Sequence, residues 1–276
     1  MTKLPQKSEI KTAINLYCAT KDLSKNELAT QLNISAATLS QIENENWKSI
    51  DQRMWLKIWN RVNGINSHNL FTTKDYTAIL KLCDFARDNY LMTGLTADTG
   101  MGKTTALKQY SQRKNTFYVS YDKTMKPRQF FATLLKEMGI AFDGNLNEMV
   151  SRIADELNVI DNPLVIIDEA GKITHTMILY LQVLKDKTHL SCGYVLAGMP
   201  YFKANLIKLS NKQKEGYAEF YRRINVWHEL EGLSRDEVKF ICENSGITEG
   251  YELKELLYKK RFGDLMNAIL LQKINS

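Results

Sequence analysis

The chain has 276 residues, 44% hydrophobic and 25% charged, which suits one large domain with a smaller companion and excludes a disordered chain. Its formal net charge of +6 is compatible with a polyanionic partner. Cys18, Cys83, Cys192 and Cys242 stand far apart without a C-x-x-C pair, and the four histidines are scattered. That pattern argues against a zinc site or a disulfide framework, and for buried thiols in a reducing cytoplasm.

Met1-Thr2-Lys3-Leu4-Pro5 leads straight into polar sequence, so no secretory signal is expected. No apolar run reaches the roughly 18 residues of a membrane span. Residues 1–63 have a helical period and are read as a small first domain. Ser24-Lys25-Asn26-Glu27 is a capping box that opens a short helix, Glu27 to Leu32, and Asn33 suits the left-handed turn that ends it. Ser35 then caps a second helix, Ala36 to Glu43. Ala29, Leu32, Ile34, Leu39 and Ile42 are expected to be buried, leaving Ala36, Ala37, Ser40, Gln41 and Asn44 outward. Two short helices around a tight turn form a helix-turn-helix pattern that resembles the lambda-repressor-like family over residues 8 to 63. The resemblance implies DNA contact through Ser40, Gln41 and Asn44, with Gln41 and Asn44 able to hydrogen-bond base edges. A helical protein-interaction domain remains the alternative, because this helix carries no Arg or Lys. Phosphate contacts would fall to Lys25, Lys48 and Arg53.

The polar, turn-rich stretch 64–71 reads as a linker. Residues 72–89 follow as an amphipathic helix with Tyr76, Ile79, Leu80, Leu82, Cys83 and Ala86 on one face. The apolar run Tyr90 to Thr96 reads as a strand feeding Ala97-Asp98-Thr99-Gly100-Met101-Gly102-Lys103-Thr104-Thr105. This is a phosphate-binding loop in which Ala97 occupies the first glycine of G-x-x-x-x-G-K-[ST]. Gly100 and Gly102 permit the backbone to wrap a phosphate, and successive N–H groups make an anion nest at the start of the next helix. Thr99 to Thr105 are expected to hold the nucleotide. Lys103 reaches its β- and γ-phosphates, and Thr104 contributes its hydroxyl to Mg²⁺.

Thr116 to Ser120 reads as the next strand, followed by Lys123-Thr124-Met125-Lys126-Pro127-Arg128 and two helices, one through Phe130, Leu134 and Leu135 and one from Leu146 to Val159. Leu164-Val165-Ile166-Ile167-Asp168-Glu169 is a buried strand with two carboxylates at its ligand-binding end. Asp168 is expected to hold Mg²⁺ through water, and Glu169 to orient and deprotonate an attacking water. A helix from Thr176 to Lys187, a strand Tyr194 to Ala197, a basic helical segment Tyr201 to Arg223 and a strand Val226 to Leu230 complete the pattern. The fold class is therefore α/β, a five-stranded parallel sheet with helices on both faces, spanning 72–232. Ser234-Arg235-Asp236-Glu237 is another capping box, and residues 233–276 read as a short helical lid.

This set, in this order, resembles the AAA+ ATPases and more narrowly the MuB-like target-selecting ATPases of phage Mu-type transposition. The resemblance implies an ATPase with ATP and Mg²⁺ as cofactors, with Lys103, Glu169 and Arg223 catalytic. Tyr221-Arg222-Arg223-Ile224 matches the arginine-finger segment. Gly198-Met199-Pro200 lacks the polar sensor residue, and Gly263-Asp264-Leu265-Met266 lacks the lid arginine, for which Arg261 is the nearest substitute. Relatives form oligomers, filaments or rings on double-stranded DNA and deliver it to a transposase. The basic residues after the second strand, here Lys123, Lys126 and Arg128, line the filament interior and suit phosphate contacts without sequence readout. Two rival readings stay open: an ATP-switched DNA-binding transcription regulator, and a replication helicase loader.

Overall fold

The computed structural model describes residues 6–62, 71–247 and 251–275, so most of the stretch read as a linker lies outside the described residues. The chain opens with helices α1 (Lys7–Lys21), α2 (Lys25–Leu32), α3 (Ala36–Glu43) and α4 (Gln52–Val62). Ser24 and Glu27 exchange caps reciprocally, which makes Ser24 the N-cap and starts α2 at Lys25, two residues before the start expected from sequence. Asn33 adopts φ 52°, and Ser35 caps α3. Ile10, Ile14, Leu28, Ala29, Leu32, Leu39, Ile42, Trp55 and Ile58 form one buried cluster, with Ile34 only partly covered. Each fully buried aliphatic side chain there contributes about 1.5–3 kcal/mol relative to exposure.

Next come α5 (Lys74–Asp88), β1 (Met92–Thr96), α6 (Lys103–Tyr110), β2 (Thr116–Ser120), α7 (Pro127–Glu137), α8 (Leu146–Val159), β3 (Leu164–Asp168), α9 (His175–Lys187), β4 (Gly193–Gly198), α10 (Pro200–Asn211), α11 (Tyr217–Arg223) and β5 (Ile224–Glu229). The five strands are parallel in the order β2-β3-β4-β1-β5. β1 begins at Met92 rather than Tyr90, because Tyr90 sits in a left-handed turn at φ 52°. The basic segment read as one helix is two, divided after Asn211 by the left-handed Gln213 and Gly216.

Period-two alternation distributes the strands between two cores. Val165 and Ile167 face one apolar cluster with Phe130, Phe131, Leu181 and Phe220. Leu164 and Ile166 face the other, with Ile79, Cys83, Ala106 and Leu107 of α5 and α6. The same alternation directs Asp168 to the α6 side of the sheet, where the phosphate loop ends. A last apolar cluster joins Leu233 to α12 (Arg235–Asn244), α13 (Tyr251–Leu256) and α14 (Phe262–Asn275).

The opening helices are fastened to the sheet unit by polar contacts. Arg61 grips both oxygens of Glu137 on α7 at 3.1 and 2.7 Å, and donates to Gln31 at 2.9 Å. Lys21 donates to the Thr116 carbonyl at 2.9 Å, and Lys114 pairs with Asp22 at 2.6 Å. Among the described residues no helix is long and apolar enough to cross a membrane, and no cluster of His, Cys, Asp and Glu could hold a metal.

Candidate nucleotide site

β1 carries the chain into the phosphate loop. The Ala97 N–H donates to the Gly198 carbonyl at 3.2 Å, and its methyl is buried in the α5–α6 core, which accounts for an alanine where the motif has glycine. Gly100 and Gly102 stand at φ 77° and 86°, a region that side chains resist, and Gly102 is the N-cap of α6. Lys103 is folded over the loop, its Nζ donating to the carbonyls of Ala97 at 2.6 Å and Asp98 at 2.9 Å. Burial lowers its pKa, and Asp168, Glu169 and Asp98 oppose that fall.

Asp168 is buried at the end of β3 and is served by three donors. Thr104 Oγ1 approaches its Oδ2 at 2.7 Å, the Tyr118 hydroxyl approaches the same oxygen at 2.8 Å, and the Glu169 N–H donates to Oδ1 at 2.8 Å. Thr104 and Asp168, assigned to Mg²⁺ from sequence, are thus brought into contact across the sheet. Hard oxygen donors of this kind, one hydroxyl and one carboxylate beside a phosphate cradle, fit a magnesium ion that keeps most of its water. Glu169 takes a left-handed φ of 58°, and its carboxylate pairs with Lys172 at 3.1 Å.

A cleft beside the loop is lined by Phe71, Tyr76, Ile79, Met101, Leu233 and Phe262, with Thr73 and Asp75 among its polar edges. The Asp75 carboxylate accepts from the backbone of Glu231 at 3.2 Å and Gly232 at 2.8 Å, tying α5 to the segment after β5. An apolar slot next to an anion cradle suits the base of a nucleotide.

The start of α14 touches the loop directly. The Gly263 N–H donates to the Gly100 carbonyl at 2.8 Å, and a Cβ on Gly263 would lie 3.2 Å from the Gly100 Cα. Arg261 pairs with Asp98 at 2.9 Å, so the arginine named as a substitute for the missing lid arginine meets the loop itself. Leu265 and Met266 pack in the lid core instead.

Other expected site residues are elsewhere. Arg223 is held on its own chain, its guanidinium bidentate on Asp186 at 2.8 and 2.7 Å and bonded to the Glu219 carbonyl, while Arg222 beside it is exposed. The arginine-finger candidate Arg223 is thus engaged within its own chain, while Arg222 stands next to it in solvent. Lys123 and Lys126 are exposed between β2 and α7, and Arg128 is exposed on the first turn of α7, paired to Asp143 at 3.0 Å. The loop between β2 and α7 begins beside Tyr121, whose N–H donates to the Asp168 carbonyl at 2.9 Å. Ser40, Gln41 and Asn44 are exposed on and after α3, and Lys25 pairs with Glu43 on the surface. Sequence reasoning missed Tyr118 as the partner of Asp168. The signal available was alternation on β2, which puts Tyr118 and Ser120 on the face that Asp168 shares.

The AAA domain family matches residues 87–206. Among solved structures, a Walker-type ATPase of Pyrococcus abyssi superposes with TM-score 0.53 at 12% identity, over 76% of this chain and 70% of that one. The replication initiator DnaA bound to AMPPCP and single-stranded DNA gives 0.50 at 16%, over 74% and 63%. The RuvB branch-migration motor of Thermotoga maritima gives 0.43 at 16%, over 73% and 61%. The chain thus spans less than two thirds of the DnaA and RuvB chains it resembles. A comparison with curated proteins finds no match. The fold is that of the P-loop AAA+ ATPases, with an α/β five-stranded parallel sheet and helices around it.

Proposed function

We propose that the protein is an ATP-dependent, largely sequence-non-specific DNA-binding ATPase that assembles on duplex DNA and delivers target DNA to a transposase. The observation that carries the DNA reading is the exposed basic loop after β2, which starts one residue beyond the backbone bond to Asp168. ATP sits in the phosphate loop, its base in the cleft of Phe71, Tyr76 and Phe262. Magnesium, held by Thr104 and Asp168 when bound, supplies charge neutralisation on the phosphates. Lys103 leaves its two loop carbonyls for the β- and γ-phosphates, and Glu169 orients the attacking water and accepts its proton after parting from Lys172. The Arg222–Arg223 pair completes a neighbour's site. Arg222 can do so without disturbing an ion pair, whereas Arg223 must first leave Asp186. The AMPPCP and single-stranded DNA bound to the structurally similar DnaA are compatible with this pairing of ligands. The transposase as partner rests on the order of motifs along the chain.

The first helices support a second reading. Exposed Ser40, Gln41 and Asn44 on α3 are arranged as in a helix-turn-helix reader, which favours a nucleotide-switched transcription regulator. Electron microscopy with plasmid DNA, with and without a slowly hydrolysed ATP analogue, separates the two. Nucleotide-dependent filaments or rings on unrelated DNA support the first reading. A fixed oligomer on one operator-like sequence supports the second, and no DNA binding overturns both.

A further inference from the structure

Where the opening helices meet the sheet unit, they border an open pocket of about 470 Å³, separate from the nucleotide cleft. Its walls carry Lys21 of α1, Arg61 of α4, Lys108 of α6, Tyr118 and Ser120 of β2, and Glu137 of α7. Three cations therefore face one carboxylate, and that carboxylate is fully used by Arg61. The two lysines have donors to spare. Lys21 makes one strong bond, to the Thr116 carbonyl, out of three possible, and Lys108 lies 5.9 Å from the Tyr118 ring centre without a carboxylate. The Arg61 Nε–H is fully buried, so its guanidinium adds charge to the pocket but no free donor. Its volume falls within the range of small-molecule pockets, and its lining is mostly polar, with Tyr118 as an aromatic wall.

We propose that this pocket is a second anion site that takes a small phosphomonoester and fastens the opening helices to the sheet unit. The phosphate accepts from Lys21 and Lys108 within the field of Arg61, and the rest of the ligand lies against Tyr118. A dianion is the species whose charge this set matches, since the pocket's formal surplus is two positive charges. The site does not depend on the ATPase reading, because none of its cations belongs to the phosphate loop. Tyr118 is common to both sites, so the two are neighbours through one side chain.

Proton linkage gives a signature that adventitious binding lacks. Burial pushes the Lys21 pKa down to about 7, with Arg61 and Arg87 adding to the fall and Glu137 opposing it. Those charges stand on α4, α5 and α7, and Lys108 faces the same space from α6. A bound dianion restores the charged form of Lys21, so binding above neutrality takes up a proton.

The test is isothermal titration calorimetry of the full chain, first saturated with Mg²⁺–AMPPCP so that the nucleotide cleft is filled. The probes are inorganic phosphate and ribose 5-phosphate at pH 8, in two buffers of different ionisation enthalpy. Saturable one-to-one binding with proton uptake is expected, and Lys108→Met and Lys21→Met each weaken it at least tenfold. Ribose 5-phosphate binding more tightly than phosphate assigns the remaining space to the organic part of the ligand; equal affinities confine the site to the anion. Lys108 is exposed on a helix, so its variant keeps the test valid should Lys21→Met disturb the junction. No saturable binding of either probe overturns the proposal, as does binding that both variants leave unchanged.

Discussion

The phosphate loop and the basic loop after β2 leave the same end of one parallel sheet, yet they treat polar groups in opposite ways. Around Asp168 every strong group is already matched: Thr104, Tyr118 and the Glu169 N–H converge on one buried carboxylate, and Lys103 is held by two carbonyls. On the other loop, Lys123 and Lys126 project into solvent, and Arg128 just after it, on the first turn of α7, has only an exposed pairing with Asp143. Chemistry at a single atom needs groups fixed in place before the substrate arrives, because geometry sets the rate. Contact with a DNA backbone needs charge density more than position, since phosphates recur along the strand and released counterions provide much of the affinity. Under the proposed function, the contrast between the two loops is a contrast between those demands.

The sharpest break in that comparison is Glu169→Gln. It should keep ATP binding but lower turnover by about 10²–10⁴-fold, the usual contribution of a positioned base. A steady-state phosphate-release assay checks it, and near-normal turnover would move the catalytic role to another group. Next is Lys103→Ala, which should weaken ATP by roughly 10–100-fold, from the 1.5–3 kcal/mol of a hydrogen bond to a charged group. Titration with a fluorescent nucleotide reads this directly; an unchanged affinity would mean that the loop does not hold the phosphates.

The basic loop should respond differently. Neutralising Lys123, Lys126 and Arg128 together should weaken duplex binding equally on unrelated sequences. It should also reduce the slope of log affinity against log salt by up to about 2.7, at roughly 0.9 per phosphate contact. A salt titration beside a variant lacking residues 1–63 locates the contact. Binding lost on truncation and kept in the triple variant would place it on α3 instead.

The arginine pair offers a smaller discrimination. Arg223→Ala should cost about 1 kcal/mol or less in stability, since its partner Asp186 is largely exposed. Arg222→Ala should leave stability alone and lose hydrolysis that mixing with Glu169→Gln protein partly restores, since each variant keeps the half of the shared site that the other lacks. If Arg223→Ala alone reduces it, the ion pair opens during assembly.

A further prediction concerns pH. Lys21 has a folded pKa depressed to about 7, well below its unfolded value. Between the two values the unfolded chain binds the extra proton, so this group makes stability rise with pH above 7. Thermal melts from pH 7 to 9 should show that rise in the wild type and a flatter profile in Lys21→Met. Identical profiles would show that Lys21 keeps its proton.

Much of the nucleotide site was legible along the chain because its parts are local. Gly100, Gly102, Lys103 and Thr104 act within one turn, where backbone conformation and helix start are set by neighbouring residues. Asp168 was legible as the polar end of an apolar run. The capping boxes at Ser24 and Ser234 announced their helices for the same reason, since a cap is a contact between residues three apart. The partners of Asp168 were not legible, because Tyr118 stands 50 residues upstream on another strand.

Short-range sterics and apolar period made most of the elements, the glycine-rich loop and the acidic strand end legible in the chain. Their arrangement came from tertiary packing. In sequence β2 separates the phosphate loop from Asp168, but in space β4 lies between β1 and β3. That order brings Thr104 within 2.7 Å of Asp168. It likewise paired Arg223 with Asp186, set Gly263 against Gly100 and formed a basic pocket around Lys21 and Arg61. These contacts join residues far apart in the chain, and strand order and helix packing, which no local pattern encodes, chose them.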